Sequence, residues 1–395
     1  MNFFLERFRF YLLIVLAAGL TLFCRSSKEI TPRRILVVPQ LTRIGDLVCA
    51  TPALAALKAR YPECHLAVVV TPKIAGIIRA NPRVDELIIL EDREYLDFFG
   101  VFRFFRKVRE KRFDCGVNLA ASTMGTLIAV FGAVPRRIKI VRSVRPFSER
   151  LTDWMNTDSV RYTAGEYIPG LYVRALAPLG IKPPAVYQKQ VFITPEGEAQ
   201  AEKFLQELTL KDGEFLVGMS VTAGSAVKEW GIEKFAELVK KLIETYRARI
   251  VIIGSSADRK KMEEVERLIT HPNILENVGV SLKVVVTDAF DLVALPSLMK
   301  RFTLFISADT GPTHIADALG VPLIDIVGSV DPDEQTPRGA HARIIRPHGI
   351  PPTIFALRPA GDPALSRKAA ESITVDEVFQ AFNELFSSVR NTKNL

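Results

Sequence analysis

The segment 306–317, ISADTGPTHIAD, concentrates polar side chains that suit chemistry: Asp309, Thr310 and His314 lie around Gly311. Asp-Thr-Gly is also the triplet of aspartic proteases, but those enzymes need two triplets, or one per subunit, so that two carboxylates share a proton. Here the triplet occurs once, between a strand-like run, TLFIS, and a helix that Pro312 would begin. We therefore interpret it as a strand-to-helix turn.

Such a turn presents backbone amides and the positive end of a helix to an anion. The amides of Gly311, Thr313 and His314 are therefore expected to bind a phosphate. The alternative is that Asp309 only caps the helix and that His314 packs inside the domain.

A second motif, LTRIGDLVCATPAL at 41–54, follows the first predicted strand. Gly45 permits close approach of a ligand. Asp46 lies at the start of the next predicted helix, where it either caps that helix or acts as a general base.

Two further loops also join a strand to a helix. In SVTAGSAVKEW, Thr222 borders a run of small residues, and Lys228 is placed to meet a phosphate or else to remain solvated. In VIIGSSADRKK, Asp258 is a candidate acceptor for a ribose hydroxyl.

The elements that position these residues alternate between strands and helices from Arg34 onward, which predicts βαβ units and parallel sheets. Two series of similar size predict an α/β fold with two Rossmann-like domains facing a cleft. We expect a leader at 1–32, one domain at 33–185 and a second at 186–395. The last helix of the second domain can pack back on the first domain.

The leader contains a nearly apolar run, FYLLIVLAAGLTLFC, with arginines on both sides. A helix of this length reaches about 22 Å, less than the ~30 Å core of a bilayer. The run is expected to be a membrane anchor or interfacial helix; a signal peptide and a disordered leader are the alternatives.

Composition narrows the class of protein. With 48% hydrophobic and 24% charged residues the chain is globular. No nucleic-acid-binding signature is found. The four cysteines, Cys24, Cys49, Cys64 and Cys115, have no metal-ligand spacing, which argues against zinc and disulfides and for a reducing compartment.

Three segments together resemble the ADP-heptose:lipopolysaccharide heptosyltransferases, glycosyltransferase family nine. They are RILVVPQLTRIGDLVCATPALAALKARYP, VKEWGIEKFAEL and SADTGPTHIADALGVPLIDIVGSVDP, in the order and spacing of that family. The resemblance extends over roughly residues 33–390.

The resemblance implies a GT-B enzyme with an acceptor-binding first domain and a donor-binding second domain. It implies inverting transfer of a sugar, typically heptose from ADP-heptose, with no cofactor and no required metal. Asp46 matches the proposed base and Lys228 the residue that offsets diphosphate charge. Asp309, Thr310, Gly311 and His314 match the donor-site turn.

A basic region at 93–150 holds 13 Lys and Arg against five Asp and Glu. Such a region favours an anionic glycolipid acceptor, such as a lipid A and core structure, with Arg136, Arg142 and Arg145 as its contacts. Aromatic residues interleaved with arginines near 98–107 are typical of a membrane interface, although an ordinary amphipathic helix with a solvated basic face gives the same pattern.

The predicted function is transfer of heptose, or a related sugar, to the lipopolysaccharide inner core. The expected location is the cytoplasmic side of the inner membrane, peripheral or held by one N-terminal anchor, with the membrane surface as a partner. Two alternatives stay open: a different nucleotide sugar and acceptor, or a catalytically silent scaffold that binds glycolipid or nucleotide.

Overall fold

The computed structural model describes residues 2–23, 31–92, 94, 97–208, 215–269, 283–284, 290–358 and 361–393. The chain divides into two compact units, Met1–Lys189 and Gln190–Leu395. Cys24 lies outside the described residues, whereas Cys49, Cys64 and Cys115 are buried free thiols.

The first unit contains a six-stranded parallel sheet. Its strands are β1 (Arg34–Val38), β2 (His65–Val70), β3 (Glu86–Ile89), β4 (Cys115–Asn118), β5 (Arg136–Val141) and β6 (Asp158–Arg161). The spatial order is β3-β2-β1-β4-β5-β6, and every pairing is parallel. This is the strand order of a Rossmann fold.

The second unit repeats that order. Its strands are β7 (Leu216–Ser220), β8 (Arg249–Ile252), β9 (Lys283–Val284), β10 (Leu304–Ala308), β11 (Leu323–Ile326) and β12 (Ala342–Ile345). They are arranged β12-β11-β10-β7-β8-β9, again with parallel pairing throughout.

Helices connect the strands in both units. The first unit has α1 (Asn2–Phe23), α2 (Ile44–Arg60), α3 (Pro72–Ala75), α4 (Phe98–Glu110), α5 (Thr123–Phe131), α6 (Phe147–Thr152) and α7 (Ile168–Arg174). The second has α8 (Pro195–Leu208), α9 (Ile232–Tyr246), α10 (Arg259–Ile269), α11 (Leu295–Met299), α12 (Gly311–Leu319), α13 (Pro332–Gln335), α14 (Pro363–Ser372) and α15 (Val375–Lys393).

Helix α2 contains a proline in its interior, yet it continues for two more turns. Pro52 has no N–H to donate to the carbonyl of Val48. The hydroxyl of Thr51 donates to that carbonyl instead, at 2.7 Å. This local substitution keeps the helix intact after the turn that carries Asp46.

Helix α1 packs into the first unit. Leu13, Ile14 and Ala17 are buried in the same core cluster as Leu36 and Val38 of β1. Among the helices of the described residues, none combines the length and apolarity needed to cross a bilayer. The predicted membrane anchor is therefore not supported, because one face of this apolar segment packs in the core of the domain.

Helix α15 packs into the second unit. Val378, Phe382, Leu385 and Phe386 belong to the core cluster that also contains strands β7, β8 and β10. The ring of Phe382 lies 5.5 Å from that of Tyr246. That this helix also reaches the first unit stays a prediction.

We expect Phe382→Ala to lower the free energy of unfolding of the second unit by about 3–5 kcal/mol, because it removes a fully buried ring. Urea unfolding measures this through the fluorescence of Trp230, which lies in the same core. A Trp154→Phe background leaves Trp230 as the one tryptophan of the chain.

Gln380→Ala is the matched control, because Gln380 is exposed on the same helix and should cost less than about 0.5 kcal/mol. A loss below about 1 kcal/mol for Phe382→Ala would contradict this description of the core.

Candidate active site

Asp46 lies in the first turn of α2, at the carboxyl end of β1. It is the third residue of that helix and is buried, whereas Gly45 beside it is half-buried. The Arg43 guanidinium lies 4.0 Å from Asp46 Oδ2. The positive end of α2 and this cation both place positive charge beside the carboxylate.

Tyr172 of α7 donates a hydrogen bond from its hydroxyl to Asp46 Oδ1 at 3.3 Å. Burial raises the pKa of Tyr172 well above its usual value, and the negative charge of Asp46 raises it further. The phenol therefore stays protonated and remains a donor to the carboxylate. Tyr172 was not among the residues predicted for the site, because α7 carries no motif and only the packing of α7 on α2 brings Tyr172 to Asp46.

A cluster of opposite charges follows the carboxyl end of β5. Arg145 donates to Asp153 Oδ2 at 2.6 Å, and the buried Lys139 ammonium donates to Oδ1 of the same carboxylate at 2.8 Å. Arg142 lies 3.4 Å from Glu149 Oε1. Much of the positive charge predicted to meet an acceptor is thus already paired inside the domain.

Glu149 completes this cluster. Burial raises the pKa of Glu149, and the nearby Arg142 guanidinium and Lys139 ammonium oppose that rise only in part. The net charge of the cluster therefore depends on whether Glu149, a buried carboxyl group beside two cations, is ionised.

Arg136 does not lie with Arg142 and Arg145. It is the first residue of β5, at the opposite end of the strand, and it is buried. Its guanidinium donates to the carbonyl of Pro178, and its Nε lies 3.7 Å from Asp158 Oδ2. These contacts hold the Arg136 guanidinium inside the domain, and binding of an acceptor by Arg136 stays a prediction.

In the second unit, Lys228 and Asp309 form an ion pair. Lys228 ends a 3₁₀ turn, Ala226–Lys228, that follows β7, and Asp309 directly follows β10. Lys228 Nζ donates to Asp309 Oδ2 at 2.8 Å. Asp309 is buried while Lys228 is partly exposed, so the carboxylate holds the ammonium at the carboxyl edge of the sheet.

The turn after Asp309 is a capping box. Thr310 is the N-cap of α12; its side chain accepts from the amide of Thr313, and Thr313 Oγ1 accepts from the amide of Thr310 at 3.2 Å. Ser307 Oγ and Thr313 Oγ1 share a further hydrogen bond of 2.7 Å. The expectation that the Thr313 amide is open to a phosphate therefore needs correction, because Thr310 already occupies it.

The remaining predicted donor contacts are spread along the same edge. Gly311 begins α12 and His314 is buried in its first turns. Thr222 is buried just after β7. Asp258 accepts from the amide of Ser255 at 2.9 Å and so stabilises its own turn; contact with a ribose stays a prediction.

No cluster of three or more His, Cys, Asp or Glu side chains suited to a metal is found in the part of the chain that the structure describes. At the carboxyl edge of its sheet, the first unit places the buried carboxylate of Asp46. The second unit places Lys228 and the N-terminus of α12 at the corresponding edge of its own sheet.

Two Rossmann-type sheets with these residues at their carboxyl edges define a two-domain α/β fold of the glycosyltransferase type. The model of Glycosyltransferase family 9 (heptosyltransferase) matches residues 101–353, and the chain belongs to this family. It is therefore a glycosyltransferase, as the motifs predicted.

Known relatives agree with this assignment. The chain is 24% identical to lipopolysaccharide heptosyltransferase 3 of Escherichia coli, over 73% of this chain and 81% of that protein. The structure of Escherichia coli ADP-heptose LPS heptosyltransferase II has a TM-score of 0.70 at 19% identity, covering 90% of this chain and 99% of that one. The structure of Escherichia coli heptosyltransferase WaaC with ADP-2-deoxy-2-fluoro heptose has a TM-score of 0.61 at 18% identity, covering 89% and 99%.

We expect Lys228→Ala to lower the free energy of unfolding of the second unit by about 2 kcal/mol, because it removes the cation that faces a buried carboxylate. The partial exposure of Lys228 places this below the cost for a fully buried pair. Adding Asp309→Asn should restore most of the loss. Urea unfolding measures both variants.

Lys260→Ala, at an exposed lysine of the same unit, is the control and should change the stability by less than about 0.5 kcal/mol. Equal destabilisation of the single and the double variant would show that the ion pair does not hold this edge together.

Proposed function

We propose that the protein transfers a heptose from ADP-heptose to the inner core of lipopolysaccharide, with inversion at the anomeric carbon. The observation that carries the proposal is Asp46: a buried carboxylate at a helix start, hydrogen-bonded to a phenol that stays protonated. The family assignment supports the reaction class, and the ADP-heptose named for related structures supports the donor.

Asp46 acts as the general base in this proposal. It removes the proton from the acceptor hydroxyl, whose oxygen then attacks the anomeric carbon of the donor from the face opposite the leaving group. Arg43 and Tyr172 orient the carboxylate through the contacts described above. A positioned base contributes on the order of 10²- to 10⁴-fold in rate.

Lys228 stabilises the departing diphosphate. In the proposed complex Asp309 keeps the ammonium in position, while the remaining N–H donors of Lys228 face the phosphates. The positive end of α12, with Gly311 and His314 near it, adds to this stabilisation. This arrangement supplies positive charge from the chain itself, so the proposed reaction requires no bound metal.

The acceptor contacts we propose are Arg142 and Arg145, which follow the carboxyl end of β5, and Gly45, which precedes the base. Both arginines already pair with carboxylates, so an acceptor carboxylate or phosphate would compete with Glu149 and Asp153 for them. An acceptor held in a lipid implies that the enzyme works at a membrane surface, on the cytoplasmic side of the inner membrane.

The test incubates the full chain with ADP-heptose and a core glycolipid that lacks heptose. Mass spectrometry should find one added heptosyl residue, and none from UDP- or GDP-sugars. Asp46→Asn should lower kcat by about 10²- to 10⁴-fold because it removes the base, while its Kd for ADP stays within about twofold.

Asp92→Asn, at an exposed carboxylate of the same unit, is the control and should keep its full rate. Transfer only from a UDP- or GDP-sugar would replace the proposed donor. Binding of nucleotide with no transfer from any donor would identify a silent scaffold, and an unaffected Asp46→Asn would remove Asp46 from the mechanism.

A further inference from the structure

Helix α1 has two apolar faces, of which only one packs in the domain. Leu13, Ile14 and Ala17 are buried. The opposite face carries an exposed stripe at helical spacing, which consists of Phe8, Leu12, Val15, Leu16 and Leu22. At 1.5 Å per residue this stripe is about 21 Å long. We call it the α1 stripe.

The position of α1 explains why the stripe faces outward. Helix α5, which α1 contacts, is apolar except for Thr123 and Thr126, and each of its residues except Met124 is buried. Because α1 covers α5, it brings its own apolar residues to the surface. A helix that is apolar all round normally has cover on all sides.

Helix α6 extends the α1 stripe. Phe147, Arg150 and Trp154 recur at intervals of three and four residues on α6 and the 3₁₀ turn after it, and all three are exposed. The ring of Phe147 lies 6.4 Å from that of Tyr11 on α1. The two helices therefore present one continuous surface of aliphatic and aromatic side chains.

The charges at this surface favour an anionic lipid over a second copy of the chain. Among the side chains described on α1 and α6, the exposed charged ones are cations, Arg7 and Arg150. In a twofold dimer through this surface, the arginines of one subunit would lie near the same arginines of the other subunit, and these like charges would repel each other. In an anionic bilayer, the headgroups attract the arginines, and the acyl chains accommodate the apolar side chains of the stripe.

We propose that the α1 stripe, with Phe147 and Trp154, docks the enzyme on a membrane that contains anionic lipid. Helix α1 lies in the plane of the interface, because its buried face holds it along the domain. The proposal rests on the proposed function only in that a lipid-held acceptor brings the enzyme to a membrane; the surface itself is defined by exposure and charge.

Flotation of the full chain with phosphatidylcholine vesicles, with and without 30% phosphatidylglycerol, tests the proposal. We expect binding to the anionic vesicles and at least about 10-fold weaker binding to the neutral ones. Val15→Glu with Leu16→Glu should reduce binding to the anionic vesicles by a similar factor, because the new carboxylates face the bilayer. Both positions are exposed, at 66% and 42%, so the fold tolerates the change.

Val186→Glu is the matched control, because Val186 is 75% exposed in the connecting segment and lies outside the surface. It should bind as the unaltered chain does. Trp154 is 53% exposed and Trp230 only 3%, so quenching by brominated lipid should act on Trp154 and vanish in Trp154→Phe.

The result that would overturn the proposal is equal binding of the Val15→Glu, Leu16→Glu variant, or no vesicle binding by the unaltered chain. A dimer in light scattering that this variant converts to a monomer would assign the surface to self-association instead. Heptosyl transfer is measured separately with a delipidated acceptor. If the unaltered chain transfers heptose but binds no vesicles, the docking surface is contradicted and the proposed function is not.

Discussion

Parallel strand pairing is the constraint on which the rest of this structure depends. Because all six strands of each sheet run in the same direction, all their carboxyl ends lie at one edge. The polar loops with candidate chemistry follow strands at the carboxyl edge of their own sheet: Asp46 after β1 in the first unit, and Lys228 after β7 and Asp309 after β10 in the second. In the second unit this brings Lys228 and Asp309, 81 residues apart in the sequence, together as an ion pair.

Ion pairs within the first unit reduce the positive charge that its basic region presents to a ligand. The region 93–150 is strongly basic in composition, but Lys139, Arg142 and Arg145 meet Glu149 and Asp153 within the domain. Lys139 is fully buried, and its pairing with Asp153 avoids the cost of an isolated buried charge, while Arg142 and Arg145 are partly exposed. This part of the domain is consequently a network of paired charges, three cations with two carboxylates, and not an open patch of positive charge.

Local patterns in the sequence predicted the alternation of strands and helices along the chain and the loops that carry candidate site residues. These patterns were apolar β-branched runs, turn residues and motif spacing. Other features depend on packing between distant segments. Tyr172 reaches Asp46 across 126 residues of sequence, and nothing around Tyr172 indicates that contact. Arg136 and Arg142 looked equivalent in sequence, yet six residues of extended strand place them at opposite edges of the sheet. The apolar run of α1 was interpreted as a membrane anchor or an interfacial helix, because its length and composition alone do not show that one face packs on α5.

In the proposed reaction, one displacement assisted by Asp46 as base transfers the sugar. The anomeric configuration of the product, determined by proton NMR against that of the donor, tests it most directly. A single displacement with the base and the leaving group on opposite faces predicts inversion of that configuration. Retention would require a second displacement or attack on the same face, and would contradict the role given to Asp46.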